Sequence, residues 1–334
     1  MIHLRFSLAD LGLVRFAFCP AWEAVLSVRT LATASPAGLY GPWLRAVQPT
    51  LADIPDLELL QTLVRPTGYL PDFLHPTPSR QVTSFEAGLA AMVTADHATV
   101  AAELTHLAQH RIARHGPGKA RRQALLAELA DDPAAALDRV ATALRGYWRV
   151  AIAPHWPRMR AVLDADLAFR LGELATGGVR GLFRTLHPAV SFERDTLRVV
   201  KYYEGTAELG DRGLLLVPCV FAWPDVIVRT ADPQPTVSYT PRGIGRLWES
   251  RGGEPGQSPL AGVLGGTRAA ILVQLDLPMS TTHLASQLEL AAPTVNVHLK
   301  ALYQAGIVSS HRDGRSVVYA RTQLGDLLLT GHAT

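Results

Sequence analysis

The sequence predicts an α+β protein in two parts. A mainly helical N-terminal region carries a small antiparallel sheet, and a C-terminal segment holds two short helices followed by a β-hairpin. Three observations support this. Apolar residues recur at helical spacing through most of the first 186 residues, short β-prone runs replace that period between 189 and 239, and the last eighty residues order their turn and cap signals as helix, break, helix, hairpin.

In chain order, 10–16 and 22–28 read as helices, as do 84–114, 118–130 and 133–150. Pro154 and Pro157 interrupt, and a further helix covers 158–176. The runs 189–193, 196–203, 213–221, 226–230 and 236–239 are short and β-prone. Turns at Asp195, Gly210-Asp211-Arg212-Gly213 and Trp223-Pro224-Asp225 separate them. A small antiparallel sheet packed on helices is the simplest arrangement. The segment 251–259, rich in Gly and Pro, reads as a linker. This divides the chain into 1–250, the linker 251–259, and 260–334.

In the last part, Thr281-Thr282-His283-Leu284-Ala285-Ser286-Gln287-Leu288 forms a first helix, closed by a break at Leu290-Ala291-Ala292. The second helix opens on Pro293, whose fixed φ suits a first turn and whose missing N–H is not needed there. Gly306 ends it. At 100° per residue Val295, Leu299 and Leu302 share one side, while Pro293, Asn296, Val297 and Lys300 share the other. Two β-prone runs, 307–312 and 315–320, then flank Asp313-Gly314, a dipeptide favoured where a tight hairpin needs positive φ. This order of parts is a winged helix-turn-helix.

The outward face suits duplex DNA. Asn296 can bond a base edge, Val297 can touch a thymine methyl, and Lys300 can meet a phosphate. Arg312 and Arg315 flank the hairpin tip, placed for phosphate or minor-groove contact. With Thr282, Pro293 and Thr294 these are the candidate contact residues. A solvated amphipathic helix pair with a charged hairpin tip would show a similar pattern without binding anything.

These residues carry a resemblance. The stretch 265–328 resembles the DNA-binding domain of ArsR/SmtB-type bacterial regulators, through its leucine pattern, Lys300-Ala301-Leu302, Ala305-Gly306-Ile307-Val308, and the Arg-flanked wing ending in Val318-Tyr319. The resemblance implies a dimer that binds a two-fold operator and represses. Two positions depart from the pattern. Ala291 and Ala292 stand where a capping Ser or Thr is common, at a cost of about 1 kcal/mol, and Asn296 stands where Ser is common. The long N-terminal part is similar to one found ahead of such a head in actinobacterial regulators, where its role is not established. Arg15-Phe16-Ala17, Pro20-Ala21-Trp22-Glu23, Phe221-Ala222-Trp223-Pro224 and Tyr239-Thr240-Pro241-Arg242-Gly243 suggest it.

Other chemistries find little support. Metal sensors of that family use a Cys-x-Cys thiolate pair, whereas this chain has only Cys19 and Cys219. Glu103, His106 and His110 share a helix face at spacings of three and four, but a solvated or interdomain face reads the same way, so no metal or cofactor is expected. The sequence holds no phosphate-cradling glycine loop and no G-x-S-x-G elbow, and it is not read as an enzyme. Trp22, Tyr40, Trp43, Trp148, Trp156, Trp223 and Trp248 could line a ligand pocket or form interdomain core.

With 334 residues, 48% of them hydrophobic, the chain can fill two or three domain cores. Net charge is only +3 and the 75 residues from 260 hold five basic and four acidic side chains, so basicity is local to the second helix and wing. Two cysteines exclude a disulfide framework and fit a reducing cytosol. No export signal and no membrane-length apolar run is evident. The expectation is a cytoplasmic DNA-binding repressor acting as a homodimer on double-stranded DNA. A sensor gated by a small-molecule effector in the N-terminal domain is the first alternative, and an enzyme with a DNA-binding tail the second.

Overall fold

The computed structural model describes residues 1–34, 38–109, 118–230, 233–248, 259–313 and 316–330. It is α+β and divides into two compact units. One comprises Phe16–Thr33 and Leu44–Pro157; the other comprises Met1–Arg15, Ala34–Trp43 and Arg158–Thr334.

The first unit is helical. Its helices include Pro20–Thr33, Leu57–Leu63, Phe85–Val93, His97–Gln109, Lys119–Asp131 and Pro133–Tyr147, the last running into a π-helical turn, Trp148–Ile152. Trp22, Leu60, Leu63, Leu89, Met92, Leu104 and Leu144 fill the core. The buried Tyr147 hydroxyl meets Ser27 Oγ at 2.8 Å, so the polar end of that ring is satisfied. The helix expected over 84–114 is two helices. Asp96 starts the second by accepting the Thr99 amide at 2.8 Å, a cap that competes with continuing the first.

The second unit holds the strands. Ile2–Arg5 lies between Thr196–Val199, to which it is antiparallel, and Gly205–Glu208, to which it is parallel; Val190–Glu193 completes this sheet beside Thr196–Val199. In a further sheet Leu215–Pro218 runs parallel to Thr236–Tyr239, with Ile227–Arg229 antiparallel on the far side. The strand runs read from sequence are therefore present, in two mixed sheets instead of one antiparallel sheet. The segment read as a helix over 10–16 is a short helix, Leu8–Gly12, with extended chain at Arg15. The carboxylate of Asp10 accepts the amides of Ser7 and Gly213, both at 2.8 Å, and so ties that helix to the second sheet. Gly213 is required there. Its φ is +68° and a Cβ would fall 2.2 Å from the Leu13 carbonyl oxygen.

The helix expected over 158–176 runs further, as Trp156–Arg184, with a break at Gly178 (φ 61°, ψ −161°). Its buried face carries Asp166 and Arg170 as well as Leu163 and Leu182. Tyr40 and Trp43 pack on Phe221, at ring centroid distances of 5.3 and 4.6 Å. Trp22, Trp148 and Trp156 belong to the other unit, where Trp148 stacks on Phe85 at 4.4 Å. The seven aromatics thus divide between the two units, five of them buried and Trp148 and Trp156 half-buried. Among the described residues, no helix is long and apolar enough to cross a membrane.

Candidate nucleic-acid interface

The C-terminal segment folds in the order its sequence predicts. The helix Gly266–Gln274 leads through a short strand, Met279–Ser280, into Thr281–Leu288. Ser280 caps that helix, its Oγ accepting the His283 amide. Glu289 ends it in the left-handed region at φ 56°, and the chain turns into Ala292–Gln304. Ala291 sits at the N-cap with no side-chain bond, and Pro293 occupies the first turn. Gly306, at φ +69°, closes the helix with its amide on the Tyr303 carbonyl at 2.9 Å.

Packing divides the two faces of Ala292–Gln304. Val295, Leu299 and Leu302 are fully buried. Pro293, Thr294, Val297 and Lys300 are exposed, Val297 by 65%, and Asn296 is half-buried. Thr282 is exposed on the preceding helix. An exposed valine among polar side chains gains nothing within the fold, which leaves it available to an apolar partner such as a thymine methyl. Periodicity alone could have added Tyr303 and Gln304, both exposed, one turn beyond Lys300 and two beyond Asn296.

Val308–Asp313 and Ser316–Arg321 form the antiparallel hairpin, pairing Arg312 with Val317 and Ser310 with Tyr319. Met279–Ser280 adds a third strand, which anchors the hairpin base to the start of the first helix. Arg312 is exposed. Arg315 and Gly314 of the expected tip lie outside the described residues, as do 251–258 of the linker; Pro259 opens a helix, Pro259–Leu264. Not every basic group here is outward. Arg321, 16% exposed, reaches Asp276 at 2.7 Å, Asp326 at 2.8 Å and the Leu272 carbonyl at 3.1 Å, holding the hairpin to the helices on either side.

Of the apolar residues on the helices that flank the helix-turn-helix, Ile271, Leu272 and Leu275 are buried within the unit. Leu324 and Leu327 remain about half exposed on the C-terminal helix Gln323–Thr330, and Val263 is 81% exposed on Pro259–Leu264.

The other candidate sites resolve differently. Glu103 Oε2 accepts the Phe73 amide at 3.0 Å, and the His106 ring meets Tyr69 edge-on at 4.7 Å; His110 lies outside the described residues. Burial and the neighbouring Asp72 raise the Glu103 carboxyl, although backbone amides oppose this. A cleft of about 500 Å³ in the helical unit is lined by Pro76–Arg80, Thr83, Ala87 and Cys19, among others. Burial pushes the Cys19 thiol up to about 11, so it is no nucleophile at neutral pH.

Two family models match separate stretches of the chain. Residues 265–311 match the model of a helix-turn-helix domain. Residues 80–243 match that of a family of unknown function (DUF5937). No curated protein and no solved structure matches the chain. The helix-turn-helix match supports a DNA-binding regulator.

Proposed function

We propose that this chain is a cytoplasmic transcriptional repressor of the ArsR/SmtB type, like those of actinobacteria. It binds a two-fold operator as a homodimer through the winged helix of 260–334, with 1–250 as the regulatory part and 251–259 as the link. One observation carries the reading: inside the segment that matches a helix-turn-helix, the second helix buries Val295, Leu299 and Leu302 and leaves Pro293, Thr294, Val297 and Lys300 outward. Asn296 reads a base, Val297 touches a thymine methyl, Lys300 and Arg312 neutralise phosphates, and Thr282 and Arg315 complete the contacts. Exposed Val263, Leu324 and Leu327 support pairing of two heads, which spaces two reading helices by one turn of DNA.

Quantitative gel shift or anisotropy on DNA selected from a random pool tests this. The expected outcome is a two-fold consensus whose affinity falls steeply with salt.

A second reading has its own support. The cleft beside Cys19 has the volume of a small-molecule site, so an effector bound there would make the protein a ligand-gated sensor. Operator affinity that changes on adding cell extract, and recovers on dialysis, would favour it.

A further inference from the structure

The helix Thr281–Leu288 is covered on two sides. Leu284, Ala285 and Leu288 are buried as an amphipathic helix would have it. The adjoining strip, His283, Ser286 and Gln287 at spacings of three and four, is also covered, by residues far earlier in the chain. Arg242 Nε donates to the Ser286 carbonyl at 2.9 Å and the Gly243 amide to the Gln287 carbonyl at 3.0 Å. Trp223 Nε1 donates to Asp276 at 3.4 Å. A Cβ on Gly245 would stand 3.6 Å from Leu288 and 3.8 Å from Gln274.

What holds this contact is mostly directed at the backbone, and what it covers is polar. Ser286 Oγ, Gln287 Oε1 and Gln274 Nε2 on the helix-turn-helix are sealed without a hydrogen-bond partner, and beside them the His283 ring lies against the His187 backbone and the His187 ring against that of Pro224. Buried polar atoms in permanent contacts are nearly always paired, because unpaired they forfeit their hydration. Sealing also argues against a ligand held among them, since no solvent-sized space meets these atoms. The strip has the chemistry of a surface that water covers part of the time.

We propose that the helix-turn-helix head docks reversibly on the region around His187 and Arg242 through this strip, and that protonation of the His187/His283 pair releases it.

The groups around the pair set the sign. His187 faces the Trp223 ring at 5.4 Å, the backbone of Pro224, Asp225, Lys201 and His283. His283 has Ser280 Oγ 2.8 Å from its Nδ1, with Arg170 and the backbone of His187 nearby. Burial above all keeps both rings neutral, lowering His187 to about 3 and His283 to about 4; Asp225 opposes this at His187, while Lys201 and Arg170 add to it at His187 and His283 respectively. Undocked, the His283 ring regains water and returns to about 6.5, and His187 loses the neighbouring ring. Docking is therefore at full strength above that pH and weakens as pH falls toward the docked values. At pH 5.5 the His283 ring alone favours the open head about tenfold.

Hydrogen exchange and small-angle scattering on the full chain without DNA, from pH 7.5 to 5.0, test this. The Gly243 amide is the direct reporter, since its acceptor lies across the contact. It should lose protection, corrected for intrinsic rates, as the radius of gyration rises and helical circular dichroism holds, with a midpoint below 6.5. His187→Gln/His283→Gln should stay closed over the same range, and His283→Gln alone should open less than the parent. Protection and radius unchanged to pH 5.0 in the parent would overturn the proposal, as would either variant opening along the parent's profile. Because no DNA is present, a chain that opens but binds no DNA would defeat the proposed function and leave this inference standing.

Discussion

The hydroxyl of Tyr239 donates to Asp166 Oδ2 at 2.6 Å, and both side chains are fully buried. Asp166 Oδ1 also accepts the Arg242 amide at 3.0 Å and lies 3.4 Å from Arg170 Nε, while Arg170 Nη1 donates to Thr185 Oγ1 at 3.0 Å. One carboxylate thus joins a strand, a long helix and the residue whose guanidinium reaches the Ser286 carbonyl. The Arg242 guanidinium also lies over the Phe169 ring at 3.6 Å, which fixes its direction.

This cluster predicts unequal effects for its members. Tyr239→Phe removes one bond to a charged acceptor and should cost about 1.5–3 kcal/mol. Asp166→Ala leaves Arg170 buried without its counter-ion and should cost about 3–5 kcal/mol. Urea unfolding monitored by circular dichroism checks the order; equal losses would mean that the carboxylate does not organise the cluster.

The helix-turn-helix was legible because its signals are local. Pro293, Gly306 and the spacing of Val295, Leu299 and Leu302 act within a few turns of chain. The strands Ile2–Arg5 and Gly205–Glu208 were not legible, since their pairing joins positions about two hundred residues apart. Asp96 and Thr99 did carry a start signal inside the expected 84–114 helix, and the apolar period around them hid it. The docked strip gave no signal at all. His283, Ser286 and Gln287 look like the outer face of a free helix, and only the fold shows what lies against them.

Leu327→Glu places a charge on the exposed face of Gln323–Thr330, 57% exposed at that residue in the single chain. Within one chain this should change stability by less than about 0.5 kcal/mol. If two heads pair there, sedimentation at micromolar concentration should show dimer for the parent and monomer for the variant. A variant that remains dimeric would place the interface elsewhere.

Metal chelators should leave DNA affinity unchanged. Glu103 already accepts the Phe73 amide, His106 packs on Tyr69, and the Cys19 thiol is held protonated. Stoichiometric zinc that survives dialysis and is needed for binding would contradict this.

Leu299→Ala should destabilise the head by about 2–5 kcal/mol, because Leu299 is completely buried among residues that cannot all collapse into the gap. Differential scanning calorimetry would register the loss. An unchanged transition would mean that Ala292–Gln304 does not pack as described.

If the outward face of Ala292–Gln304 reads DNA, the salt-dependent affinity of four single variants on the selected operator will show it. Lys300→Ala and Arg312→Ala should weaken binding to every sequence and each reduce the salt slope by about one. Asn296→Ala should keep the slope and lose about 1–3 kcal/mol of preference at one or two base pairs, and Val297→Ala should lose preference at a thymine. Four variants that bind as tightly and as selectively as the parent would mean that this face does not read DNA.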